Sequence, residues 1–319
     1  MSASAGLTRR LTLDRAVLLA PVLGLHRRGA GDPTHRMLGP DHHLRATRTP
    51  AGPALLRVAA AGAEVVARAW GEGADWVLDQ LPRLVGEDDD VSGFTPAHPL
   101  LVEAQRRYGN FRVGRSDAVH EALAPACLEQ VVTGKEAFRA WRLLVTQFGE
   151  LAPGPTAEPG SAAFGMRVPP RPEVWARVPS WTFLAAGVEE RRSRTLVQTA
   201  GRAVALERTL ALPHADADRA LRSLPGVGPW TSAEVRQRAH GDADAWSVGD
   251  FHVGKNITWA LTGEVLDDGA ATELLEPYRG HRFRVQALLG LLGGATRRPR
   301  RAPRMALPTH TPYATRGRS

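Results

Sequence analysis

The stretch LPGVGPWTSAEV, Leu224 to Val235, leaves the chain few choices. Two glycines flank Val227, and glycine reaches backbone angles that other residues resist. Pro229 follows, suited to the first position of a helix, where no amide donor is needed. The segment DADRALRS, with its acidic start, predicts a short helix just before. The expectation is helix, tight hairpin, helix over about 216–240, with Gly241 where a helix stop belongs. Such a hairpin aims bare amides and a positive helix end at one point, which suits an anion such as phosphate. An ordinary helix–turn–helix with no ligand has the same pattern, and the residues alone leave both readings open.

Helical spacing dominates from about residue 95. DAVHEALAPACLEQVVTGKEAFRAWRLLVTQFG carries apolar residues at that spacing, with Pro125 and Gly134 as interruptions. A Pro/Gly-rich loop occupies 152–160. RPEVWARVPSWTFLAAG and RRSRTLVQTAGRAVALERTL predict two or three more helices, and FHVGKNITWALTG predicts one that begins at Phe251 and closes at Gly263. The first 95 residues read as mixed α/β. LRATRTPAGPALLRVAA and EVVARAW alternate as strands do, and ADWVLDQLPRLVG reads as a helix stopped by Gly86. The apolar run Ala16–Leu25 reads as a buried strand, and GEDDDVSG at 86–93 as a solvated boundary. The fold class expected is α+β, mainly α, in three parts: a mixed α/β domain at 1–95, a helical core at 96–295 and a basic, disordered tail at 296–319.

Composition narrows the partners. No apolar run approaches the roughly 20 residues of a membrane span. Cys127 is the only cysteine, which excludes an internal disulfide, a four-cysteine zinc site and a cysteine-held iron–sulfur cluster. A reducing cytoplasm fits. Histidines 26, 35, 42 and 43 are irregularly spaced and predict no zinc site. The net charge is +8, but seven arginines between 297 and 318, with no acid among them, leave 8 − 7 = +1 for the body. The tail reads equally as a solvated segment or as an arm on DNA phosphates.

Asp250, in AWSVGDFHVGKN, lies 22 residues past Gly228, since 250 − 228 = 22. A chain returning over the second helix would bring it back towards the hairpin. Aspartate also favours a helix start, and the two roles are compatible.

The stretch LPGVGPWTSAEV…WSVGDFHVGKNITWAL resembles the helix-hairpin-helix DNA glycosylases, and within them is most similar to the DNA-3-methyladenine glycosylase II branch. LEQVVTGKEAFRAWRLLVTQFG, PPRPEVWARVPSWTFLAAGVEERRSRTLVQTAGRAV and EPYRGHRFRVQALL resemble further helices of that family, so the likeness spans about 95–292. It implies a two-lobed all-helical core behind an extra sheet domain. It also implies an enzyme that extrudes a damaged nucleotide and cuts its N-glycosidic bond.

On that resemblance Asp250 is the catalytic carboxylate, stabilising an oxocarbenium-like sugar. Trp230 is a wall that stacks a cationic base, with Glu234 and Gln130 also at the base pocket. Gly226, Val227, Gly228 and Thr231 grip the strand. Val131 is an apolar wedge for the vacated gap, although the residue by itself reads equally as a buried helix valine. The backbone carbonyls of Arg222, Leu224 and Val227 would hold Na+ or K+; no other cofactor is implied. The family's strand-cutting members carry a lysine where this chain has Trp230. Lys135 and Lys255 are its only lysines, so the implied enzyme is monofunctional and uses water. The implied partner of this monomer is damaged double-stranded DNA in the cytoplasmic nucleoid.

Three positions depart from the pattern: Glu234 stands where that branch has a tyrosine, Ala287 or a neighbour where it has a late tryptophan, and Gly249 where the family often has an acid or proline just before its aspartate. Two alternatives therefore remain: a non-catalytic module that binds distorted DNA, and a glycosylase for a different damaged base.

Overall fold

The computed structural model describes residues 6–293. The expected arginine-rich tail lies outside them. Five strands form one antiparallel sheet in the order β1-β5-β4-β3-β2, comprising β1 Leu7–Thr12, β2 His35–Gly39, β3 His42–Thr49, β4 Gly52–Ala61 and β5 Glu64–Trp70. Strand side chains alternate between faces, and here both faces are covered. Leu56, Val58, Val65 and Ala67 pack on one side with Val77, Leu78 and Leu81 of helix α2, Ala74–Leu84. Leu44, Ala46, Leu55 and Trp70 pack on the other with Ala152, Ala163, Met166 and Val168. Gly86 takes φ +79 where α2 was expected to stop.

The run 16–25 is not a strand. It forms helix α1, Leu19–Leu23, and a 3-10 turn at Gly24–His26. Leu19, Val22 and Leu23 are its buried residues, at the i, i+3, i+4 spacing of one helix face. Leu19 and Leu23 join the sheet core, whereas Val22 joins a helical cluster with Phe94 and Phe111.

The remaining helices are α3 Pro99–Tyr108, α4 Val119–Glu129, α5 Gly134–Phe148, α6 Pro172–Trp175, α7 Ser180–Ala185, α8 Glu190–Ala200, α9 Ala203–Glu207, α10 His214–Arg222, α11 Pro229–Val235, α12 Val253–Thr262, α13 Asp268–Leu275 and α14 Arg282–Leu292. Two two-residue strands, β6 Glu150–Leu151 and β7 Arg167–Val168, pair between α5 and α6, so the region after the sheet is not purely helical. One hydrophobic cluster unites α4, α5 and α8 with Val227, Val235 and Ala239. A second unites Leu101 of α3 and Trp246 with Ile257, Leu275 and Leu288 of the last three helices.

Pro125, expected as an interruption, lies inside α4. Nearly every residue of that helix is buried, and this packing outweighs one missing hydrogen bond. The break falls instead at 130–133, where Thr133 and Glu136 form a capping box that starts α5.

The acidic stretch 86–93 is not a solvated linker throughout. The side chain of Asp89 is buried; it accepts from Arg284 Nη2 of α14 at 2.6 Å and from the Val113 amide at 2.7 Å. Both charged groups are about 97% hidden (3% and 2% exposed), so each depends on the other. Replacing one partner strands a buried charge. Asp89→Asn should lower the unfolding free energy by about 3 kcal/mol in a chemical-denaturation experiment. An unchanged midpoint would refute that role for the pair.

Candidate active site

The hairpin between α10 and α11 is pinned from beneath. Val227 is buried in the α4–α8 cluster, and its amide donates to the Leu224 carbonyl at 3.1 Å. Gly226 takes φ +83, and a Cβ there would sit 2.1 Å from Thr195 Oγ1 of α8. Glycine is therefore required for both backbone angle and space. Gly228 precedes α11, and Pro229 fills its first turn. Ser232 Oγ donates to Asp218 Oδ1 at 2.7 Å, which joins the two helices. Arg236 pairs with both Asp218 and Asp242, and His214 Nδ1 lies 3.3 Å from Asp242.

Gln130 and Val131 sit in the break after α4. Gln130 Nε2 donates to the Gly226 carbonyl and to Thr231 Oγ1, both at 2.9 Å, and so ties this loop to the hairpin. Val131 is not a buried helix residue. It is 92% exposed, with φ +52. A β-branched residue in the left-handed region is strained by about 1–3 kcal/mol. Its side chain has no packing to compensate.

Asp250 follows a tight turn in which its amide donates to the Ser247 carbonyl at 3.1 Å. Gly249 takes φ +84 and donates to Asp268 Oδ2 at 2.6 Å. A Cβ built on Gly249 would lie 3.9 Å from Trp230 Cβ, so the turn packs beside that tryptophan. Asp250 Oδ1 accepts the amides of His252 and Val253 at 2.7 and 2.9 Å. The carboxylate thus holds the start of α12, which begins at Val253 and not at Phe251. Phe251 is instead 72% exposed beside Asp250, with Lys255 Nζ 4.0 Å from its ring centre. Trp230 is half-buried, and its indole N–H is buried with no acceptor among the described residues.

Glu234 does not face solvent. It is 8% exposed, one helical turn beyond Trp230. Oε2 accepts from Arg238 Nη1 and Oε1 from Ser247 Oγ, both at 2.7 Å. Arg222 is exposed on α10, and the Leu224 carbonyl already accepts one amide.

The loop at 130–131, the hairpin, Trp230 and the Asp250 turn therefore converge. Sequence reasoning missed Ser247, Arg238, Gln237, Gln286 and Phe251. Phe251 had a legible signal, as a large aromatic next to the candidate acid. The others are ordinary polar residues whose partners become neighbours only on folding. Among the described residues, no helix is long and apolar enough to cross a membrane.

No sequence model of a protein family matches the chain, and no curated protein sequence matches it. Solved structures do. A 3-methyladenine DNA glycosylase from Archaeoglobus fulgidus superposes with TM-score 0.72 at 20% identity, over 88% of this chain and 97% of that one. An 8-oxoguanine glycosylase/lyase from Clostridium acetobutylicum, in complex with double-stranded DNA, superposes with TM-score 0.64 at 12% identity, over 88% and 96%. Its apo form gives 0.60 at 13% identity, over 91% and 99%. The chain has the fold of these glycosylase structures.

The α10–α11 joint carries a pH signature. Burial works to raise the Asp242 carboxyl, but the His214 hydrogen bond and the Arg236 charge prevail and hold it at about 2. The His214 imidazole is raised above its ordinary value by its bond to Asp242, against burial. The Asp242 contribution is complete above the unfolded carboxyl value of 3.8 and is lost as pH falls towards 2. The His214 contribution is complete below the unfolded value of 6.5 and is lost as pH rises through the raised folded value. Stability should therefore fall on both sides of the window between them. Thermal melts of His214→Asn across pH should show the alkaline decline flattened and a shallower acid one.

Proposed function

We propose that the chain is a monofunctional DNA glycosylase that extrudes alkylated purines of the 3-methyladenine type from duplex DNA and hydrolyses their N-glycosidic bond. One observation carries this reading: the turn bearing Asp250 packs beside Trp230, next to a hairpin that is bonded to the loop presenting Val131. Glycosidic cleavage builds positive charge on the sugar, and a fixed carboxylate stabilises it. Asp250 is fixed through Oδ1, and Oδ2 is the oxygen assigned to the sugar. Trp230 offers an aromatic face to a cationic base.

Val131 is the wedge, since a strained, almost fully exposed valine gains nothing from its own fold. The amides of Gly226 and Gly228 take the strand's phosphates, while the buried Val227, its amide already bonded to Leu224, and the buried Thr231 hold the hairpin in place. Gln130 braces wedge against hairpin. The carbonyls of Arg222, Leu224 and Val227 have the chemistry to hold Na+ or K+, Leu224 through its second lone pair. Trp230 stands in the place the family's lyases give to lysine, and the Lys255 ammonium rests on Phe251, which favours attack by water over a Schiff base.

Asp250→Asn should lower single-turnover release of methylated purines by about 10³-fold and leave duplex binding intact. Wild-type protein that binds lesions but frees no base would make the chain a DNA-structure binder instead. The shared fold of an 8-oxoguanine enzyme supports testing a second lesion class, so the panel includes oxidised and deaminated bases. Greater release from those would replace the alkylpurine assignment.

Val131→Gly separates wedge from scaffold. The left-handed backbone suits glycine, so the melting temperature should hold or rise while base release falls by about tenfold or more. A melting temperature that holds or rises with undiminished release would remove Val131 from the mechanism.

A further inference from the structure

We propose that Glu234, with Ser247, is a positioning residue that sets the Asp250 carboxylate through the turn at 247–250. The inference rests on the glycosylase reading above. It gives Glu234 a role that neither base contact nor surface charge describes.

Ser247 is 1% exposed and every hydrogen-bonding capacity of its hydroxyl is in use. Gln237 Nε2 and Gln286 Nε2 donate to Oγ at 2.9 and 3.0 Å. A hydroxyl has one proton and two lone pairs. With both lone pairs taken, the proton goes to Glu234 Oε1 at 2.7 Å. The Ser247 amide is held too, by Gln286 Oε1 at 2.8 Å. Its carbonyl accepts the Asp250 amide at 3.1 Å. The residue that closes the Asp250 turn is thus clamped from α11 and α14 at once.

The clamp requires a group that accepts on both sides. Glu234 Oε2 takes Arg238 Nη1 at 2.7 Å while Oε1 takes Ser247. A glutamine can offer its oxygen to only one of them. Facing Ser247, its amide group would point at a guanidinium. Facing Arg238, it would point at a hydroxyl with no lone pair left. Trp230 and Glu234 are four residues apart, on one side of α11. The same helix face therefore presents the aromatic wall and anchors the acid's turn. Arg238 carries the connection inward, with Nε donating to the Leu25 carbonyl at 2.8 Å.

The full chain is assayed on a methylated duplex by single-turnover base release, and its affinity for a duplex with an abasic-site analogue is measured well below the melting temperature. Glu234→Gln and Ser247→Ala should each slow release by about tenfold to hundredfold, the effect of a reacting group displaced by up to about 1 Å. Affinity for the abasic duplex should stay within about twofold. The double variant should be no slower than the slower single one, because both changes break one contact. Release at the wild-type rate in either single variant overturns the proposal. So does affinity lost in step with rate, which means a collapsed cleft. Loss in Glu234→Gln alone, expressed as weaker binding of the methylated duplex, would make Glu234 a base contact instead. Asp250→Asn runs alongside: undiminished release there sinks the glycosylase mechanism itself, whatever the clamp variants do.

Discussion

Two buried guanidinium groups share one backbone carbonyl, and the loops at 130–131 and 247–250 are built around that point. Arg28 Nη1 and Arg238 Nε both donate to the Leu25 oxygen at 2.8 Å. Each arginine has its own carboxylate, Glu129 for Arg28 at 2.6 Å and Glu234 for Arg238 at 2.7 Å. Burial depresses the Arg28 pKa and raises that of Glu129, because each charge is disfavoured out of water. Such a cluster is stable only as a complete set, because removing a member leaves a charge unpaired in the interior. Glu129 is the last residue of α4, directly before Gln130 and Val131. Glu234 is the residue that reaches the Asp250 turn. The loop at 130–131 and the Asp250 turn are thereby referred to the same carbonyl.

That carbonyl belongs to the short segment after α1, which gives the N-terminal part a physical role. Asp32 accepts the Arg28 amide at 2.6 Å and the Trp141 indole N–H at 3.0 Å, and so fastens the segment to α5. Further along, Asp89 fastens the acidic stretch to Arg284 of α14. The sheet and its connections therefore brace both helical clusters. Local strain fits this frame. Among described residues other than glycine, only Asp117 and Val131 have positive φ. Asp117 is compensated by pairing with Arg83 and Arg115. Val131, 92% exposed, has no such compensation, which supports the proposal that it meets a ligand.

The hairpin shows how far local chemistry reaches. Gly226 and Gly241 both take positive φ, Pro229 fills the first turn of α11, and Gly263 ends α12. Each was legible because glycine and proline act through their own backbone and need no distant partner. Alternation made β3, β4 and β5 legible for the same reason. The run 16–25 failed that test because apolar residues of both spacings fit within ten positions. The spacing of Leu19, Val22 and Leu23 was decided by two cores competing for them.

By itself, then, the sequence determined the hairpin, the helix stops and the strand alternation, which depend on backbone freedom and side-chain chemistry at neighbouring positions. The candidacy of Asp250 and Trp230 came from the resemblance of their motif to the glycosylases. Tertiary structure alone decided that Val131 stands exposed, that Glu234 turns inward, and that Ser247, Arg238 and Arg28 matter. A buried polar group takes its meaning from whichever donor or acceptor folding brings within 3 Å, and chain order carries no record of that meeting.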